Sequence, residues 1–291
     1  MYNKIQENGN ITYSIDMLRL KSYISYQTFS EIEFRFETVW KEYVKNKYTT
    51  GRLKEFFYNY NIEVGEGISF WFGFLHNNEK RFDNEKCLYN FTIEFNPNKL
   101  KDNKVLLYLL SISGEWYIKS YDLAIDIKVN ILDLIIDTTC KRKVKVFLEG
   151  YDNKTYEVGK GEGRYKVYNK KIEAGLEIAG DLTRIEISRV LEDYPIKNIN
   201  LYKFGDKFPD IYLNQYVMSL SDYKDITLLA ISYAVQHGFP LKDLTRYQRK
   251  KVKDMFEGGY KVRFFQKYAN NVLQQTIYFY FIPNKKVRWN K

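Results

Sequence analysis

The sequence predicts an α+β protein, a β-sheet sandwich of mixed or antiparallel strands with helices on its outer face, followed by a mainly helical C-terminal region. Three observations predict it. Up to about residue 205, short β-branched and aromatic runs alternate with helix-like stretches; beyond that point the hydrophobic period turns helical. The chain has 291 residues and 45% hydrophobic content, enough for one large core or two smaller ones. No repeat, low-complexity tract or Pro/Gly-rich linker interrupts it, so the boundary is read from the change of pattern alone: 1–205 and 206–291.

In chain order, 11–20 reads as a strand, and 30–44 as a helix with Ser30 as cap and Glu31 and Glu33 in its first turn. Segments 68–75 and 88–95 read as strands, 101–110 as a helix and 116–128 as a strand. A hairpin follows, 142–150 with 155–159, around the turn Tyr151-Asp152-Asn153-Lys154. Strands 164–168 and 182–190 complete the first region. In the second, Ser221 caps a helix with body 226–236 and with Asp222 and Asp225 in its first turn. Gly238 stops it, and Pro240 opens a helix over 241–257 that ends at Gly258-Gly259. The last segment, 261–291, mixes aromatics such as Phe264, Tyr268, Phe279 and Trp289 with cations. It suits either stacking on unpaired bases or a strand packed back on the core.

The formal charge of +10 favours a polyanionic partner. An A/T-biased genome would also inflate Lys, but it would spread the charge evenly. From Leu241 to Lys291 there are thirteen Lys or Arg against three acids, so this stretch alone carries the whole net +10. On 241–257, Arg246, Arg249, Lys250 and Lys253 recur at i, i+3, i+4 and i+7 and stack on one helix face. Two helices about a short turn suit a helix-turn-helix, and equally an ordinary helical hairpin with a solvated basic face.

Several function classes drop out. No apolar run of about eighteen residues and no export signal is present, so a soluble cytoplasmic protein without a membrane partner is expected. Cys87 and Cys140 are far apart, which suits a reducing compartment. The two histidines, His76 and His237, lie in different regions and offer no metal-ligand spacing. The Gly-rich run at 159–164 lacks the ending of a phosphate loop. Carboxylates, tyrosines and cations remain.

Strand alternation places Asp122 and Asp126 on one face of their strand, Glu94 between Ile93 and Phe95, and Glu186 on the face of Arg184 and Ser188. Hard oxygen ligands from adjacent strands suit Mg²⁺ or Mn²⁺, whereas any one of these acids alone suits a solvent-facing position or an ion pair with Arg184. Tyr168 has Lys166 and Lys170 two residues to either side, which would stabilise a tyrosinate and hold a phosphate. With 27 tyrosines in the chain, such a neighbourhood also arises by chance.

Four segments together are more specific: Ile93-Glu94-Phe95-Asn96-Pro97, Asp122-Leu123-Ala124-Ile125-Asp126, Val167-Tyr168-Asn169-Lys170-Lys171 and Thr183-Arg184-Ile185-Glu186-Ile187. In order and spacing, about residue 90 to 195, they resemble the plasmid rolling-circle replication initiators of the Rep-trans family. That resemblance implies a nicking-closing enzyme whose catalytic tyrosine is Tyr168 and whose divalent metal, Mg²⁺ or Mn²⁺, is held among Glu94, Asp122, Asp126 and Glu186. It implies a 5′-phosphotyrosine intermediate, action as a homodimer on double-stranded origin DNA with a hairpin or melted nick site, and recruitment of a host helicase. Lys166, Lys170, Lys171 and Arg184, with the four cations of 241–257, are then the expected DNA contacts. Lys166 and Lys160 stand where relatives commonly carry Arg, which keeps the charge and loses the bidentate geometry. A conjugative or phage relaxase would use the same chemistry. A non-enzymatic DNA-binding regulator, or an RNA-binding protein using the aromatic tail, would not need the tyrosine.

Overall fold

A computed structural model describes residues 4–7, 10–49, 60–73, 81–83, 86–100, 104–136, 144–148, 154–160, 163–175, 177, 180–205, 208–213, 226–236, 239, 241–257 and 262–281. The elements run β1 (Lys4–Glu7), β2 (Ile11–Ser25), α1 (Tyr26–Thr38), β3 (Val44–Thr49), β4 (Tyr60–Val64), β5 (Ile68–Gly73), β6 (Arg81–Asp83) and β7 (Lys86–Phe95). Next come α2 (Lys104–Ser111), β8 (Tyr117–Ile127), β9 (Leu134–Ile136), β10 (Val144–Leu148), β11 (Lys154–Val158), β12 (Tyr165–Asn169), α3 (Lys170–Glu173) and β13 (Thr183–Pro195). The chain continues through β14 (Ile211–Leu213), α4 (Ile226–Gln236), α5 (Arg246–Glu257) and α6 (Gln266–Phe281).

The α+β class holds. One sheet carries twelve strands in the order β10-β11-β12-β13-β8-β2-β7-β5-β4-β3, with β1 added on β2 and β6 on β7. Its pairings are antiparallel throughout. β2 and β8 are central because their sequences supply long alternating runs: Tyr13, Ile15, Leu18 and Leu20 on one, Ile118, Leu123 and Ile125 on the other, are almost wholly excluded from water. This apolar side receives α1 through Phe29, Ile32 and Phe36, α2 through Val105, Leu106 and Leu109, and α6.

α1 begins four residues earlier than the acids Glu31 and Glu33 suggested. Ser25, not Ser30, is the cap, its hydroxyl accepting the Thr28 amide at 3.0 Å. Ser30 instead donates to the Tyr26 carbonyl inside the helix. The larger correction is α6. Within the segment read as a strand or a base-stacking tail, Gln266–Phe281 is a helix whose Ala269, Val272, Leu273, Thr276, Ile277 and Tyr280 are buried, a spacing of three and four. Thr276 tolerates burial by returning its hydroxyl to the Val272 carbonyl at 2.8 Å. α6 therefore belongs to the main core and crosses the boundary placed at 205. α4 and α5 build a smaller core with β9 and β14 around Ile135, Tyr212, Leu241 and Val252. Helix 226–236 falls as expected, while 241–257 opens with a short 3₁₀ turn before α5. The hairpin turn at 151–153, the Ser221 cap, Gly238, Pro240 and Trp289 lie outside the described residues.

Candidate active site

The sheet's register assembles the site. Tyr168 on β12 lies opposite Arg184 on β13, Arg184 opposite Asp126 on β8, and Asp126 opposite Thr12 on β2. One step along, Lys166, Glu186, Ala124 and Ser14 form the next row. Directly opposed residues share a face, as do residues two apart, so both rows project to one side of the sheet. The intervening row, Val167, Ile185, Ile125 and Tyr13, is fully buried on the other side. Period-two sequence thus places a polar cluster directly behind the core, on rigid strands.

Tyr168 is only 7% exposed, and its hydroxyl donates to a Glu186 carboxylate oxygen. Burial, followed by the negative charge of Glu186, pushes its pKa far up, so the resting side chain is a neutral phenol. The expected stabilisation of a tyrosinate by Lys166 and Lys170 is not what this geometry produces. Lys166 pairs with Glu157 at 3.2 Å; Lys170 pairs with Glu173 at 2.6 Å and sits 5.7 Å from the Tyr168 ring centroid. Burial also raises the Glu186 pKa, and the nearby charge of Asp16 adds to it, against the Tyr168 hydrogen bond and Arg184, which lower it.

Arg184 is the hub. Its Nε and Nη2 donate to the two Asp126 oxygens at 2.6 and 2.7 Å, and its Nη1 to Asp16 Oδ1 at 3.0 Å. Burial works against the guanidinium's charge, but these acids hold its pKa above the usual value. In turn, Arg184, then the Asn96 hydrogen bond and Lys170, overcome burial to keep Asp16 below the usual carboxylate range. Arg184, with a side chain 8% exposed, is therefore a clamp between β13, β8 and β2, with little of its surface open to a DNA phosphate.

Asp16 was missed by sequence reasoning. It is the extra residue of a bulge in β2: Ile15 faces Leu123 and Met17 faces Asp122, leaving Asp16 without a ladder partner on β8. The signal was present, since the apolar residues Tyr13, Ile15, Leu18 and Leu20 step by two, three and two.

The expected metal quartet does not gather. Glu94 pairs with Arg19, which also lies 5.5 Å over Trp71; both Asp126 oxygens are held by Arg184; half-buried Asp122 stands opposite Ser188 and Met17. Among the described residues no group of three or more His, Cys, Asp or Glu side chains is placed to hold a metal ion. Glu94, Asp122, Asp126 and Glu186 thus do not fit a shared Mg²⁺ or Mn²⁺ as folded. Lys171 reaches the Gly180 carbonyl at 3.2 Å.

On α5 the basic face is rotated from the expected one. Thr245 and Gln248 form a reciprocal cap, the Thr245 amide donating to Gln248 Oε1 at 3.0 Å and the Gln248 amide to Thr245 Oγ1 at 3.3 Å. Arg249 turns inward and donates to the carbonyls of Leu241 and Leu244 at 3.2 and 3.1 Å. Lys253 is half-buried, whereas Arg246, Tyr247, Lys250 and Lys251 are exposed, with Lys251 Nζ 5.4 Å from the Tyr247 ring centroid.

The fold and this cluster define a protein that presents a phenolic hydroxyl on a carboxylate, framed by an arginine and two further acids, on the polar side of an antiparallel sheet. No protein-family model matches the chain, and no curated protein matches it. A solved structure described as "Structure of Rolling Circle Replication Initiator Protein from Geobacillus stearothermophilus" is similar at 13% identity and a TM-score of 0.37, covering 84% of this chain and 97% of that one. At that level the likeness carries no argument about function, which rests on the residues themselves.

Proposed function

We propose that this chain nicks one strand of a DNA duplex and reseals it, as a rolling-circle replication initiator, with Tyr168 as the nucleophile. The observation that supports this most is the Tyr168 hydroxyl seated on Glu186 within a buried polar cluster. A buried tyrosine without a task satisfies its hydroxyl on any acceptor, and a carboxylate of raised pKa is a costly choice.

The chemistry follows from the pair. Tyr168 Oη attacks the scissile phosphorus while its proton passes to Glu186, which already accepts its hydrogen bond and which burial makes a stronger base than a free carboxylate. The bond from phosphorus to the 3′-oxygen breaks, and that oxygen takes a proton from solvent. The products are a 5′-phosphotyrosine and a free 3′-hydroxyl; one phosphodiester has replaced another, so the reverse reaction reseals the strand. Arg184, held by Asp126 and Asp16, fixes the strand on which Glu186 sits. Lys166 and Lys170 supply positive charge beside the entering phosphate. The exposed cations of α5 hold flanking duplex. On this reading the partners are double-stranded origin DNA with a hairpin or melted nick site, a second copy of the chain, and a host helicase.

Supercoiled plasmid carrying a matching origin, incubated with the protein in buffer containing Mg²⁺ or Mn²⁺, tests the proposal. Nicked and relaxed circles are expected from wild type and none from Tyr168→Phe. An unchanged supercoiled band with wild type, alongside retained DNA binding, would identify a non-enzymatic regulator instead.

A further inference from the structure

The turn after β7, Asn96-Pro97-Asn98, grips the β2 bulge from the neighbouring strand. Asn96, 5% exposed, donates from Nδ2 to Asp16 Oδ1 at 3.2 Å, and its Oδ1 accepts the Asn98 amide at 2.9 Å. Asn98 donates from Nδ2 to the carbonyl of Ile15, the residue before the bulge, at 2.8 Å. A bulged residue has no ladder partner to fix its direction, so whatever holds Asp16 must come from elsewhere. Asn96 and Arg184 both hold Asp16 Oδ1, and Arg184 stands two residues from Glu186, the acceptor of the Tyr168 hydroxyl, on the same face of β13.

We propose that Asn96 is a positioning residue for the reaction: by aiming Asp16 out of the bulge and onto Arg184, it fixes the stretch of β13 that carries Glu186, the carboxylate that receives the tyrosine's proton. The inference rests on the reading of Tyr168 as nucleophile. It gives the Glu94-Phe95-Asn96-Pro97 segment a different functional residue from the acid, since Glu94 is spent on Arg19 while Asn96 reaches the site. The two asparagines divide the work. Asn98 ties the turn to the backbone of β2, and Asn96 reaches the Asp16 side chain.

Two substitutions separate positioning from mere structure. Asn96→Asp keeps the oxygen that accepts the Asn98 amide and removes the donor to Asp16. Asn98→Ala keeps the donor to Asp16 and removes the tie to Ile15. In a nicking assay on supercoiled origin plasmid, Asn96→Asp is expected to lose on the order of 10²-fold in kcat, the cost of about 1 Å of misplacement, with KM for DNA unchanged. Asn98→Ala is expected to lose Tm while keeping most of kcat. Should Asn96→Asp fail to fold, Asn96→Ala, free of added charge repulsion, must show the same loss of kcat when assayed below its own melting transition. Wild-type kcat in either Asn96 variant, with Tyr168→Phe inert, overturns this proposal alone. A Tyr168→Phe protein as active as wild type overturns the nucleophile reading and this proposal with it.

Discussion

Replacing Arg184 by Lys and by Gln separates a structural clamp from a DNA contact. In the Lys variant the charge is kept and the fork is lost. Arg184 makes three charged hydrogen bonds, at 2.6 and 2.7 Å to Asp126 and 3.0 Å to Asp16. An ammonium on a shorter reach serves one of these acids at a time, so two bonds go. At about 1.5 kcal/mol for each hydrogen bond to a charged group, the loss is roughly 3 kcal/mol. For a chain somewhat above the 150–250-residue range, about 2 °C per kcal/mol turns this into a fall in Tm of about 6 °C. Thermal unfolding followed by circular dichroism reads the first effect. The second readout is the salt dependence of DNA binding by Arg184→Gln, which removes the charge itself; the log–log slope falls by about 0.9 for each phosphate contact removed. With the side chain 8% exposed, that slope is expected to stay as in wild type. An unchanged Tm in Arg184→Lys with a shallower salt slope in Arg184→Gln would refute the reasoning and restore Arg184 as a phosphate ligand.

Further outcomes follow from the same geometry. Glu186 has a raised pKa in the fold, so the stability it contributes is present below its ordinary value of 4.5 and is lost as pH rises through the raised one. Glu186→Gln is accordingly expected to melt higher than wild type at neutral pH, the advantage vanishing below about pH 4.5, and to nick roughly 10²- to 10⁴-fold more slowly through loss of the proton acceptor. Asp16 has the opposite sign: its depressed pKa gives stability above the ordinary 3.8 that is lost in acid, so Asp16→Asn flattens the acid limb of the wild-type Tm profile. Glu94→Gln, which touches only the partly exposed pair with Arg19, is expected to cost no more than about 1 kcal/mol and to leave the nicking rate within about twofold; abolished nicking would return Glu94 to the site. On α5, Ala at Arg246, Lys250 or Lys251 is expected to lower the salt slope of duplex binding, whereas Arg249→Ala lowers Tm through the freed carbonyls of Leu241 and Leu244 and leaves the slope alone.

What was legible in the sequence follows physical lines. The alternating runs that become β8 and β13 announced both the strands and the face on which Asp126, Arg184 and Glu186 stand, because period two is a local property of the chain. Helix 226–236 was equally plain. α6 was not legible because its aromatics suit base stacking as well as a core, and the spacing of three and four emerges only from which of them are buried. Asp16 was overlooked for a different reason. A bulge announces itself only as a slip in alternation, and the residue it everts gains meaning from partners 80 and 168 positions away, Asn96 and Arg184. Pairing choices were hidden in the same way. Nothing local says that Glu94 prefers Arg19, or that Arg249 caps carbonyls while Lys251 faces solvent, since these depend on which strands and turns meet.

In the proposed reaction the Tyr168 phenolic oxygen exchanges with a nucleotide's 3′-oxygen. Trapping the protein on single-stranded origin oligonucleotide, digesting the complex and mapping the DNA-bearing peptide by mass spectrometry tests it most directly. The adduct is predicted on the peptide containing Tyr168, attached through a 5′-phosphate, and absent from Tyr168→Phe. An adduct on any other tyrosine, or nicked product with no protein-linked DNA at all, would contradict it.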